Sequence, residues 1–176
     1  MVPRNLLKKN KTIEDWVEII EQKFFHLNIN NCVQYITEYL CLDKKRVGAD
    51  IREAFIVFMG KKFGVLTFED ACNKLNIPNQ LPDVSSFPPK YRNKQIALYK
   101  LTIIIEALND GWQPNWEDLM EHKYWNWFSM DGGFSYYSPR YRSTNTSVPS
   151  ALCFKTENIA QYTSLRFIDL YKQLYE

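Results

Sequence analysis

Apolar side chains recur at helical spacing through the first third of the chain. Trp16, Ile19, Ile20, Phe24 and Leu27 follow Thr12 and Asp15, a hydroxyl cap with an acid in the first turn, and this pattern predicts an amphipathic helix. The run 28-NINN-31 stops it. A second stripe, Val33, Ile36, Tyr39 and Leu40, predicts a helix from near Asn31. A third helix is expected from about Lys44 to Met59, where 60-GKKFG-64 offers glycine for a left-handed cap. Thr67 then caps a short helix over 68-FEDACNKL-75.

Between Asn76 and Pro89 the prolines 78, 82, 88 and 89 preclude a helix and predict a loop. Pro88 and Pro89 suit the first turn of the next helix, expected from about Lys90 to Asp110 and closed by Gly111. Its apolar positions, Ile96, Leu98, Leu101, Ile103, Ile104, Ile105 and Leu108, cover so much of the circumference that it reads as the central core helix.

The pattern changes after Trp112. The segments 123-KYWNWFSM-130 and 133-GFSYYS-138 are aromatic strand candidates around a Gly132–Gly133 turn, and 151-ALCFKT-156 is a third. Thr156 caps a final helix through Ile159, Tyr162, Phe167, Leu170, Tyr171 and Leu174. The expected fold is α+β, with a small helical unit over residues 1–64. Residues 65–176 carry a short antiparallel sheet, the aromatic hairpin plus one strand, on two long helices.

Alternation puts Tyr124, Asn126 and Phe128 on one face of the first strand and Trp125, Trp127 and Ser129 on the other. Both faces are aromatic, and one helical layer covers only one of them. Lys123, Arg140, Arg142 and Lys155 bring cations to the same region. Ring faces beside cations suit nucleobases and phosphates, and equally an ordinary protein interface. Trp125, Trp127, Tyr137, Arg140 and Arg142 are therefore the candidate rim residues for a nucleotide-like small molecule or a protein. The competing reading covers both faces with helices and with the loop 139-PRYRSTNTSVPS-150.

Composition removes several classes of function. With 176 residues, 45% hydrophobic and 24% charged, the chain is of ordinary globular type, and its 15% aromatic content is the departure from average. A net charge of +2 leaves nucleic-acid binding to a local basic face. The longest apolar run, 101-LTIIIEAL-108, is too short for a bilayer, and the polar start lacks the core of a secretory signal, so an intracellular protein is expected. Cys32, Cys41, Cys72 and Cys153 lack metal-ligand spacing and read as small buried residues. His26 and His122 stand far apart, no glycine-rich loop cradles a phosphate, and Glu117, Asp118 and Glu121 read as a solvated acidic face. No metal, cofactor or catalytic group is expected.

The stretch 34-QYITEYLCLDKKRVGADIREAF-55 supports an alternative. Ile36, Leu40, Leu42, Val47 and Ile51 fall at intervals resembling a helix-turn-helix, with Lys44, Lys45 and Arg46 opening the helix that would approach DNA. Cys41 stands where that motif favours glycine, and Asp50 and Glu53 bring negative charge. Arg4, Lys8, Lys9 and Lys11 form a basic arm that adds phosphate contacts under this reading.

From Phe68 to the C-terminus the chain resembles small uncharacterised proteins of phages and prophages of gut Bacteroidales. The resemblance rests on 111-GWQPNW-116, 124-YWNWF-128, Gly133 with Phe134, and 152-LCFKT-156 followed by Ala160, Tyr162, Phe167 and Tyr171. A proline often precedes the Trp127 position in that family, where this chain has Asn126. The resemblance implies a phage-associated protein inside the host cell, in its cytoplasm, and transfers no activity and no catalytic residue; beside the binding readings, a structural phage protein is a further alternative.

Overall fold

A computed structural model describes residues 11–39 and 42–176 apart from the side chains of Tyr39, Lys44 and Arg46. The chain divides into two compact units, Met1–Lys62 and Phe63–Glu176.

In the first unit, α1 (Ile13–Ile19) begins with a reciprocal capping box. Thr12 Oγ1 accepts the Asp15 N–H at 3.2 Å, and the Asp15 carboxylate accepts the Thr12 N–H at 3.0 Å. A π-helical turn at Ile20–Phe24 follows, then α2 (Ile29–Tyr39) and α3 (Lys44–Phe63). Trp16, Ile19, Ile20, Val33 and Ile36 are buried as the helical stripes predict, and Ile29, Ile51 and Phe55 are buried as well. α3 does not end at Gly60. A helical glycine costs only about 1 kcal/mol relative to alanine. The stop comes at Gly64, whose φ of +67° suits a left-handed cap.

In the second unit, Phe63 packs its ring on Tyr162 at 5.6 Å, and the Tyr162 hydroxyl donates to the Val65 carbonyl. α4 (Phe68–Leu75) carries a second capping box, Thr67 with Asp70, and ends at Asn76 in the left-handed region. α5 (Pro89–Asn109) buries Ala97, Leu101, Ile104, Ile105 and Leu108, while Ile96, Leu98 and Ile103 remain half-buried. It packs mainly on α4 and on α7 (Ile168–Tyr175). The helix that touches both strands of the hairpin is α6 (Glu157–Arg166).

The expected single final helix is thus two. Thr163 Oγ1 and Ser164 Oγ donate back to the Ile159 and Gln161 carbonyls at 2.7 and 2.8 Å, a type of bond that bends helices. Phe167, at φ −113° and ψ 31°, completes the break. α7 then brings Tyr171 and Tyr175 to the Phe128 ring, at 4.7 and 5.6 Å.

The hairpin forms as the aromatic pattern predicts: β1 (Lys123–Ser129) pairs antiparallel with β2 (Ser135–Arg142). Lys123 stands opposite Arg142, Trp125 opposite Arg140 and Trp127 opposite Ser138. Phe128 stands opposite Tyr136, so Tyr137 is the extra residue of a bulge. The third strand shrinks to one bridge. After Pro149 the chain makes a 3-10 turn at Ser150–Leu152, with the Leu152 and Cys153 N–H groups donating to the Pro149 and Ser150 carbonyls. Only Phe154 pairs, with Tyr124, at 2.8 and 3.1 Å. The fold is α+β, and among the described residues no helix is long and apolar enough to cross a membrane.

Candidate functional site

The two faces of the hairpin have different fates. On the first, Asn126 Nδ2 donates to the Tyr171 hydroxyl at 3.2 Å, and the Phe128 ring lies 4.9 Å from Phe134 and 4.7 Å from Tyr171. This face is core. Burial pushes the Tyr171 phenol well above its usual range, and the hydrogen bond from Asn126 opposes this only in part.

The second face is divided along its length. At one end Lys123 is fully buried, which corrects its expected place at an exposed cationic edge. Its ammonium donates to the Asp118 and Ser143 carbonyls at 2.9 and 3.0 Å, pairs with Glu121 at 3.2 Å, and lies 5.6 Å from the Trp116 ring centre. Glu121 in turn accepts the Trp112 indole N–H at 2.8 Å and the Asn115 N–H at 2.9 Å. Burial opposes its charge, but these donors together with Lys123 outweigh that and hold the carboxyl below its usual range. Glu121 is therefore a structural anchor within the expected acidic face.

Trp125, expected at the rim, is only 5% exposed, and its indole N–H has no partner. Two residues on, Trp127 is 46% exposed, and across the bulge Tyr137 is 63% exposed. The Arg140 guanidinium sits 5.8 Å from the ring centres of both. Trp127, Tyr137 and Arg140 thus form one open cluster. Arg142 is exposed and donates to the Tyr141 carbonyl at 3.0 Å, outside this cluster. Lys155 is exposed, with its main-chain N–H held by Asn109 Oδ1 at 3.1 Å.

A cavity of about 340 Å³ borders the outer edge of β1. Trp125, Asn126, Trp127 and Phe128 line it from the strand, Met130 from just beyond the strand, Ser147 and Val148 from the loop after β2, and Tyr175 from α7. The sequence gives no direct sign of it, because its walls come from three separate segments. Asn126 Oδ1, like the Trp125 indole N–H, is buried without a hydrogen-bond partner.

The remaining chemistry is sparse. Burial raises the thiol of Cys32 to about 12 and pushes those of Cys72 and Cys153 up, which disfavours the nucleophilic thiolate. Among the described residues no group of His, Cys, Asp and Glu is arranged to hold a metal. The His122 ring lies 4.5 Å from Tyr141, tilted by 32°, and the Cys153 thiol has Thr146 and the Pro149 carbonyl as its partners. In the helical unit, Lys45 is exposed beside Asp43, which accepts its main-chain N–H at 2.9 Å, and Lys11 lies over the Trp16 ring. The side chains of Lys44 and Arg46, together with Leu40, Cys41 and the arm residues Arg4, Lys8 and Lys9, lie outside the described residues. No family model, no curated protein and no solved structure matches the chain.

Proposed function

We propose that this chain is a non-enzymatic binding protein whose hairpin takes a partner protein on the Trp127, Tyr137 and Arg140 cluster. The observation that carries the reading is the exposure of a Trp and a Tyr ring around one guanidinium, on a hairpin whose opposite face is packed on α6 and α7. Trp, Tyr and Arg are the residues that dominate binding energy at interface centres. Held on a strand pair, they lose little conformational freedom on binding.

A nucleotide fits less well. Arg140 already lies over both rings, so a base that stacks on that side of either ring has to displace it. The resemblance noted for the residues from Phe68 onward supports a phage or host protein as the partner, met in the host cytoplasm.

A photo-reactive phenylalanine analogue at position 137 tests the reading. In host cells it is expected to yield a discrete protein adduct that disappears when Trp127→Ala and Arg140→Ala are added. Absence of an adduct, with a thermal shift produced by a nucleotide, would replace the protein partner with a small molecule.

A further inference from the structure

The two outer edges of the hairpin are built differently. Tyr124 turns its main-chain N–H and C=O away from β2, toward Phe154. Strand alternation sends the same groups of Asn126 the same way, and among the described residues nothing pairs with them. An antiparallel continuation from Phe154 would bring Leu152 opposite Asn126, but the 3-10 turn at Ser150–Leu152 carries that segment off as a helix-like coil. On the other edge, the residue opposite Asn126 is Pro139. Its ring nitrogen faces outward and offers no donor, so that edge is blunted.

Beside the unpaired part of β1 lies the 340 Å³ cavity between Val148 and Tyr175. This is the small end of the ligand-cavity range, about 300–1,000 Å³, and suits side chains better than a cofactor. No charged side chain lines it. Trp125 and Asn126 contribute to its wall, although the Trp125 indole N–H and Asn126 Oδ1 themselves lie buried beneath it without partners. The main-chain N–H and C=O of Asn126 are costly to leave unpaired beside it, and a peptide bond supplies both missing partners.

We infer that the outer edge of β1, from Asn126 to Met130, accepts an extended peptide segment of the partner protein as a third strand. Its main chain pairs with Asn126, and an uncharged apolar side chain enters the cavity between Val148 and Tyr175. This is strand addition to a sheet edge, with backbone bonds giving affinity and a pocket giving selectivity. It rests on the protein-binding reading above and names the form in which the partner arrives.

The probe is a displayed library of random linear peptides, selected on the full chain and followed by synthesis of the enriched sequences. Enriched peptides should carry apolar residues at alternate positions. N-methylation of the amide that pairs with Asn126 should weaken binding about tenfold or more, while methylation of the next amide, which points away, should not. The Trp125 indole signal, assigned through Trp125→Phe, should shift on binding, because Trp125 lines the cavity. Val148→Trp, which fills the cavity from a loop, should abolish binding while leaving the circular dichroism and melting temperature near those of the parent.

Failure to enrich any peptide, tolerance of methylation at every amide, or an unmoved Trp125 signal would each overturn the inference. The photo-adduct at position 137 separates this outcome from failure of the broader reading. An adduct sensitive to Arg140→Ala, without edge binding, leaves a protein partner that docks on the open face alone.

Discussion

Replacing Lys123 with methionine removes the charge while keeping much of the apolar stem. The ammonium holds the Asp118 and Ser143 carbonyls and the Glu121 carboxylate, all within 3.2 Å, from a fully buried position. Breaking a buried pair by removing one partner costs about 3–5 kcal/mol, because the remaining groups stay desolvated. Glu121 is partly exposed, with a quarter of its side chain accessible, so the lower end of that range is expected, about 3 kcal/mol.

Urea denaturation followed by tryptophan fluorescence measures it. The pH dependence supplies a second readout. The Glu121 carboxyl is held below its unfolded value, so its stabilisation is present above the unfolded pKa and is lost as pH falls through the folded one. Lys123→Met removes one of the causes, and stability should then depend less on pH across the acid range. A loss below about 1 kcal/mol, as for an exposed pair, together with an unchanged acid slope, would refute the anchoring role.

The tryptophans two residues apart should behave oppositely. Trp125→Ala is expected to cost about 3–5 kcal/mol as a buried large-to-small change, whereas Trp127→Ala or Arg140→Ala should stay within about 1 kcal/mol in thermal or urea unfolding. Equal losses at the two tryptophans would make the open face part of the core. Duplex DNA at low salt should show no mobility shift. A shift that weakens with salt and vanishes on neutralising Lys44, Lys45 and Arg46 would favour the helix-turn-helix reading instead.

Elements whose signals are local were legible in the sequence. Thr12, Thr67 and Thr156 all cap helices as their spacing implies, and the aromatic run around Gly132–Gly133 forms a hairpin. Elements decided by distant partners were not. The strand expected at 151–156 was lost to the 3-10 turn after Pro149, a competition invisible to β-propensity. Trp125 and Trp127 share a strand face by alternation, yet only Trp125 is covered, because coverage depends on tertiary surroundings rather than on the strand itself.

Lys123 shows the same limit for charge. Its composition argues for a surface, and its burial depends on carbonyls at Asp118 and Ser143 that no spacing rule connects to it. Of the candidate rim, Trp127, Tyr137 and Arg140 cluster, while Trp125 and Arg142 do not join them.

Pro139 has a bearing on solubility at high concentration. Fibrillar stacking requires every copy to offer two pairable edges, one to receive a strand and one to pass the pattern on. A hairpin blunted on β2 is a chain terminator in that sense: a copy that adds to another through β1 presents the proline outward, and growth stops at a pair.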